Sequence, residues 1–296
     1  MNTLKTTFLM LALIMLFVLV GNLIAGKEGM MWAFMMALIM NGIAYWFSDK
    51  IVLALYGAKE IKEENYPRIF SIIRELTTSM GLPMPKVCVI ETQTPNAFAT
   101  GRNPQNSAVV LTTGIINLLN DRELRGVIAH ELSHIKNRDT LISLVAATIA
   151  GAIFTLARMA QWALMFGGLR RRDEREGGIL GSLGMLLLVI LAPIAAMIIQ
   201  LAISRSREYE ADKSAGVATR DPLSLASALR KLHETVQKYP MVNAEPTTSH
   251  LFIVNPLKGK DILALFSTHP PVSERIKKLE QLHQEISGYN IPNIIR

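Results

Sequence analysis

The stretch that decides the fold class is VIAHELSHIKNRD, residues 127–139. His130 and His134 lie four positions apart, so a helix would place both rings on one face, one turn apart. Glu131 lies beside the first ring, close enough to act on a metal-bound water without being a ligand. This H-E-x-x-H spacing is typical of zinc hydrolases, although a solvated helix that happens to carry two histidines would also show it. A catalytic zinc needs a third protein ligand and an open fourth position.

The best candidate for the third ligand lies in SRSREYEADKSAG, residues 204–216. Glu208 and Asp212 are four positions apart and would share one helix face. Glutamate can complete a His-His-Glu zinc site, and an aspartate one turn further on can accept the free ring N–H of a ligating histidine. The pattern alone is also common in charged helices without a metal. The assignment is supported by the two apolar segments between His134 and Glu208, because an antiparallel pair of helices would bring these residues to the same depth on the same side of the membrane.

Other candidates for the third ligand are poorer. A metzincin would need a glycine and a third histidine three and six residues after the motif, where this chain has Asn137 and Thr140. His233 and His283 lie in amphipathic stretches and His250 in a polar loop, where histidine is more often a surface residue. The sequence therefore favours a His-His-Glu set.

Four apolar segments predict membrane spans. Half of the 296 residues are apolar and the mean hydropathy is +0.29, which is too high for an ordinary soluble enzyme. The apolar residues are concentrated in segments 6–26, 29–48, 140–157 and 177–204. A helix of about 20 residues crosses a hydrocarbon core of ~30 Å, and the third segment is at the short end of that range. A retained anchor fits the first segment better than a cleaved signal peptide, since a second span follows almost at once.

The spans divide the chain into four parts. Residues 1–48 form two transmembrane helices, 49–139 a catalytic part with the HExxH helix, 140–204 a transmembrane hairpin, and 205–296 a catalytic part with the third ligand. Lysine and arginine next to the spans predict that both catalytic parts face the cytoplasm. The arginine-rich loop at 170–175 disagrees, so either the hairpin carries it across or that pair does not fully span.

Charge and cysteine content exclude two other classes. The net charge of +7 is explained by residues flanking the spans, and no basic stripe with interleaved aromatics points to nucleic acid. Cys88 is the single cysteine, which rules out a disulfide within the chain.

The catalytic part should be α+β. Segments 86–91 and 107–113 are β-branched runs between turn signals and predict strands, and 97–99 adds a third. Asn120 followed by Glu123 predicts a capping box, from which the HExxH helix should run without interruption into the third span. A free edge of this sheet could bind an extended peptide by strand addition. The expected fold is an α+β membrane protein with four transmembrane helices and a mainly helical, zincin-like catalytic domain.

Four motifs together resemble one family. The chain is similar to the HtpX family of bacterial membrane metalloproteases, relatives of the endopeptidases that process prenylated CAAX proteins. The resemblance covers nearly the whole chain, and its motifs are HELSH at 130–134, REYEAD at 207–212, NAFATG at 96–101 and STHPPVSER at 267–275.

The resemblance implies one zinc ion per subunit, held by His130, His134 and Glu208, with Glu131 as the catalytic acid and base and Asp212 supporting a ligand histidine. It also implies that His269 and Arg275 lie near the site, where they would steady the oxyanion; a plain helix start is an equal alternative.

The function expected from the resemblance is hydrolysis of peptide bonds in membrane and misfolded proteins. The role would be protein quality control under stress, at the inner membrane of a bacterium. The expected partners are the lipid bilayer and protein or peptide substrates, and no nucleic acid. A membrane scaffold with a structural zinc is disfavoured, since such sites usually have four protein ligands. A transporter is disfavoured because every candidate ligand lies outside the apolar segments.

Overall fold

The computed structural model describes residues 2–143, 145, 205–238, 253 and 270–288. This part is mainly helical with one small mixed sheet, which confirms the α+β expectation at that level. Most of the predicted hairpin at 140–204 lies outside the described residues. In chain order the elements are α1 (Asn2–Leu55), β1 (Lys59–Glu60), α2 (Pro67–Met80), β2 (Lys86–Ile90), β3 (Ala97–Asn103), β4 (Asn106–Thr112), α3 (Thr113–Leu118), α4 (Asp121–Asn137), α5 (Arg205–Thr219), α6 (Pro222–Lys238) and α7 (Val272–Ile286).

Helix α1 folds back on itself at Gly26, whose φ of 61° lies in the left-handed region that glycine tolerates. A Cβ added to Gly21 would lie 2.6 Å from the Cβ of Ala33. In an uninterrupted helix these positions would be about 18 Å apart along the axis. Across the pair, Asn41 Nδ2 donates to the Met10 carbonyl at 3.1 Å. The N-terminal region is therefore a close helical hairpin.

One arm of this hairpin is long and apolar enough to cross a membrane. It is the 22-residue stretch Gly26–Phe47, while the apolar helix Thr6–Leu19 in the other arm is shorter than a full span. Leucine, methionine, phenylalanine and tryptophan side chains are exposed along both arms. The described residues thus contain one of the four predicted spans by these criteria.

The sheet has the strand order β1-β2-β4-β3, with β2 and β4 parallel and the other pairs antiparallel. The three predicted strands are confirmed as β2, β3 and β4. Side chains alternate between its faces, as the two-residue period of a strand requires. Phe98 and Val110 face α1, where the Tyr56 ring lies 5.9 Å from the Phe98 ring. Val109 and Leu111 face the opposite way, into the main core.

Helix α4 passes through the main core and begins as predicted. The Asn120 side chain accepts from the Glu123 N–H at 3.0 Å, and the Glu123 carboxylate accepts from the Asn120 N–H at 3.1 Å, which is the predicted capping box. Helix α6 packs closely on α4, since a Cβ added at Gly126 would lie 3.1 Å from the main chain of Leu225. This contact leaves α4 little freedom to shift.

The C-terminal end of α4 differs from expectation. The helix stops at Asn137, and Arg138 adopts a left-handed conformation with φ 57°, its N–H directed to the His134 and Ile135 carbonyls. Helical structure resumes at Asp139. The prediction of an uninterrupted helix from Asn120 into the third span was wrong, because a left-handed residue turns the axis.

Candidate active site

The two motif histidines lie side by side in the core. His130 is 1% exposed and the His134 side chain 15%, and their Nε2 atoms are 3.1 Å apart. The four-residue spacing on α4 accounts for this, because it stacks the rings one turn apart. Both rings therefore present their Nε2 atoms to the same point.

Glu208 completes the group from α5, which packs against α4. The residue is 4% exposed, and its carboxylate has Oε2 at 3.8 Å from His130 Nε2 and Oε1 at 3.6 Å from His134 Nε2. One donor atom from each residue lies within 4.8 Å of the others. The predicted convergence of residues 78 positions apart is thus observed.

These separations suit a small metal ion. Ligand bonds of about 2.1 Å at tetrahedral angles hold donor atoms about 3.4 Å apart. The two Nε2 atoms are 3.1 Å apart, and the two carboxylate oxygens of Glu208, Oε2 and Oε1, lie 3.8 and 3.6 Å from them, which is close to that value. Two neutral imidazoles and a carboxylate are also the donor set of known catalytic zinc sites. His130, His134 and Glu208 can therefore supply three ligands to a metal ion.

Asp212 lies behind His130 as the sequence predicts. Its Oδ1 is 2.9 Å from His130 Nδ1, which leaves Nε2 directed at the metal position. Arg275 on α7 donates to both Asp212 oxygens, Nε to Oδ2 at 2.8 Å and Nη2 to Oδ1 at 2.7 Å. Burial would raise the pKa of Asp212, but Arg275 lowers it to about 2. Asp212 therefore stays an acceptor for the ring.

Arg275 is fully buried and its guanidinium is committed to neighbours rather than open for an oxyanion. Besides its bonds to Asp212, Arg275 donates from Nη1 to the Ile253 carbonyl at 3.1 Å, and the same Nη1 lies 3.8 Å from Glu208 Oε2. The sequence predicted the place of Arg275 correctly but not this role. His269, its expected companion, lies outside the described residues.

Asp139 lies behind His134 and was missed by the sequence analysis. Its Oδ2 is 3.2 Å from His134 Nδ1, so each motif histidine has an aspartate on its outer nitrogen. On a continuous helix, residues five apart do not face each other. The left-handed turn at Arg138 brings the carboxylate back toward the ring. An aspartate two residues after the end of α4 would have been the signal, had that end been predicted.

Glu131 points into the same region and is 2% exposed. Burial raises the pKa of its carboxyl to about 7, with the Glu208 charge adding to the effect and His134 opposing it. The Ala99 N–H of β3 donates a hydrogen bond to this side chain. A carboxyl group that titrates near neutral pH is suited to both accept and return a proton.

Strand β3 is at the edge of the sheet and runs beside Glu131, but this edge is not free along its whole length, whereas the sequence had suggested a free edge. Besides the Ala99 N–H, the Ala97 carbonyl accepts from the Ile253 N–H at 3.0 Å, and the Gly101 carbonyl accepts from the Thr140 hydroxyl at 2.8 Å. The predicted edge is observed, and at least three of its outward groups already have partners.

Comparison with known proteins agrees with this geometry. The profile of peptidase family M48 matches residues 63–283, which include α4, α5 and most of α7. The chain belongs to peptidase family M48. Within it, the chain is 53% identical over 279 residues to the protease HtpX homologue of Syntrophobacter fumaroxidans, covering 94% of this chain and 98% of that one.

Further M48 relatives support the same placement. Identity is 56% over 282 residues to the HtpX homologue of Thermodesulfovibrio yellowstonii, covering 95% of this chain and 99% of that one. The resemblance to HtpX proteases is thereby confirmed. The fold is similar to that of S. mikatae Ste24p in its crystal structure, with a TM-score of 0.52 at 21% identity. That match covers 94% of this chain and 65% of the Ste24p chain, so this chain spans slightly less than two thirds of its length.

The remaining histidines of this M48 chain do not join the metal-binding group in the described part of the structure. His233 is exposed on α6 and His283 is partly exposed on α7, in line with the expectation that they are surface residues. His250 lies outside the described residues. Among the described residues, the one group of three metal-binding side chains is His130, His134 and Glu208.

Proposed function

We propose that the chain is a zinc-dependent membrane endopeptidase. The observation that carries the proposal is the convergence of His130, His134 and Glu208, at separations that suit a tetrahedral ion. Membership of a metallopeptidase family supports it independently. One zinc ion per subunit, bound by these three residues, would leave the fourth position open.

Zinc at this site would act as a Lewis acid on the peptide carbonyl. The chain itself supplies the proton transfers. Glu131, with a pKa near 7, accepts a proton from the attacking water and returns it to the leaving amine. Its hydrogen bond from Ala99 fixes the carboxylate between the metal ligands and strand β3.

The proposed substrates are membrane and misfolded proteins. The exposed apolar hairpin of α1 would hold the enzyme in a lipid bilayer, and the end of α1 packs on the sheet next to the active site. Unfolded regions offer extended main chain, which an edge strand such as β3 can bind through those of its outward groups that are free. We therefore propose a role in membrane-protein quality control under stress. Substrates trapped by an inactive variant and identified by mass spectrometry would test it; a set of folded soluble proteins would contradict it.

The proposed topology has four spans at the inner membrane of a bacterium. Residues 1–48 and 140–204 would be the two membrane hairpins, and 49–139 and 205–296 would form the cytoplasmic catalytic unit. Single cysteines in a Cys88→Ala background test this with an impermeant thiol reagent. In inverted vesicles, Lys59→Cys should be labelled and Arg172→Cys protected. Labelling of both from the same side would show that the second hairpin does not cross.

The decisive experiment on function uses Glu131→Gln. The amide cannot accept a proton, so this variant should keep its zinc and lose casein cleavage. The wild-type protein should lose cleavage with a chelator and regain it with zinc. Wild-type rates in metal-loaded Glu131→Gln protein would refute the assignment. Retained zinc without any cleavage by the wild-type chain would instead indicate a structural site.

A further inference from the structure

The region behind His134 contains a buried ion pair that the proposed catalytic steps do not use. Asp139 is 4% exposed and Arg207 is 9% exposed, and Arg207 Nη1 lies 3.7 Å from Asp139 Oδ1. The other oxygen of Asp139 is 3.2 Å from His134 Nδ1. The order of groups is therefore histidine, aspartate, arginine, from the metal position outward.

The backbone around Asp139 is held in an unfavourable shape. Arg138 has φ 57°, in the left-handed region that a residue with a Cβ adopts only at a conformational cost. Directly after Asp139, the Thr140 hydroxyl is bonded to the Gly101 carbonyl of β3 at 2.8 Å. The strained backbone at Arg138 and the anchored side chain of Thr140 together hold the Asp139 carboxylate against the His134 ring. Such strain is kept where the surroundings require one geometry.

Burial of the Arg207 guanidinium is also unfavourable, because it removes a charged group from water. Among the described residues neither terminal nitrogen has a hydrogen-bond partner, although both are fully buried. Burial lowers the pKa of the guanidinium, and the charges of Asp139 and Glu208 partly offset that effect. A buried cation is tolerated when nearby anions balance it. Arg207 precedes the ligand Glu208 on α5, so the helix that delivers the ligand also delivers this charge.

The other histidine has the same order of groups, an aspartate on the ring and an arginine beside the aspartate, with closer contacts than the 3.7 Å between Arg207 and Asp139. There Asp212 contacts His130 and Arg275 binds both oxygens of Asp212. We infer that Asp139 and Arg207 are positioning residues of the metal site: Asp139 accepts the His134 Nδ1–H and so directs Nε2 at the metal, and Arg207 holds Asp139 in place. This rests on the proposed function, because it assigns residues that serve the same metal.

The inference predicts graded losses of zinc affinity in the full chain in detergent. Removing such a partner of a ligand histidine typically costs 10–100-fold in affinity. Asp139→Ala should fall in that range, and Asp139→Asn, which keeps an acceptor oxygen, should lose less. Arg207→Met removes the charge at similar size and should lose less than Asp139→Ala.

A double variant separates positioning from general structural damage. If Arg207 acts through Asp139, adding Arg207→Met to Asp139→Ala should lower zinc affinity no further, whereas two independent structural defects would add. The control is Asp221→Ala, which removes an aspartate that caps α6, where its Oδ1 accepts from the Ser224 N–H at 3.2 Å. It should lower the unfolding temperature and leave zinc affinity unchanged.

The readouts are the zinc dissociation constant, from competition with a chelator, and the visible spectrum of the cobalt-loaded protein. The spectrum should change in Asp139→Ala and not in the control, since it reports ligand geometry. Wild-type affinity and an unchanged spectrum in Asp139→Ala would overturn the inference. If Glu208→Ala loses zinc in the same assay while Asp139→Ala does not, the proposed metal site is supported and only the role of Asp139 and Arg207 is refuted. If the wild-type chain binds no zinc, the proposed function itself fails.

Discussion

Glu208→Ala tests the least local member of the proposed site. The binding free energy of zinc held by four protein ligands is about 10–16 kcal/mol, so one ligand contributes roughly 2.5–4 kcal/mol. Removing the carboxylate that lies 3.6 and 3.8 Å from the two Nε2 atoms should weaken zinc binding by about two to three orders of magnitude. Cleavage at micromolar zinc should fall to near background. Glu208→Asp withdraws the carboxylate by one methylene and should give an intermediate affinity.

The matched control is Glu210→Ala. Glu210 is exposed, because a step of two residues turns it about 200° around α5 from Glu208. Zinc content and peptide cleavage are measured for both variants in the same detergent, with circular dichroism to check folding. Loss of zinc in Glu210→Ala together with wild-type zinc in Glu208→Ala would refute both the ligand assignment and the packing of α5 on α4 that places it.

Three further predictions concern the framework of the site. Glu123→Ala removes the capping box and the 2.8 Å bond from Lys231, and should destabilise the protein by about 1–3 kcal/mol in thermal unfolding. Burial raises the pKa of Glu123, but the Lys231 and capping bonds lower it overall, so this stabilisation is present above about pH 4.3 and should disappear as the pH falls through the folded-state value. Gly126→Val places atoms against Leu225 and should cost about 1–3 kcal/mol by the same assay; an unchanged unfolding temperature would contradict the close packing. Arg275→Lys cannot bind both oxygens of its aspartate and should reduce zinc affinity, whereas wild-type affinity would show that the paired contact is dispensable.

Local sequence rules predicted the parts of the site that depend on helical spacing. The capping box at Asn120, the shared face of His130 and His134, and the approach of Asp212 to a ring follow from periods of three to four residues. The three principal strands followed from β-branched runs between turn signals. The convergence of Glu208 required an assumption about paired helices, and the packing of α5 on α4 agrees with it in the described residues.

The parts that sequence did not predict depend on a single backbone angle or on distant contacts. Asp139 reaches His134 because Arg138 is left-handed, and arginine carries no preference for that conformation. The family resemblance placed Arg275 near the site, but its bond to Asp212 was not predicted, because it depends on the tertiary packing of α7. The turn at Gly26 was closer to prediction, since the charged residues Lys27 and Glu28 separate the first two apolar segments there.

The position of Arg275 in the chain has a consequence for biosynthesis. A growing chain exposes the histidine pair first and Glu208 later, but Asp212 lacks its buried cation until the ribosome has passed residue 275. Until then a buried carboxylate would have no cation to balance it, which disfavours closure of the site. The enzyme should therefore stay inactive while it is being made, protecting both itself and neighbouring nascent chains. Ribosome-bound chains arrested before residue 275 should bind little zinc and cleave nothing, whereas chains arrested far enough beyond it for α7 to emerge should do both.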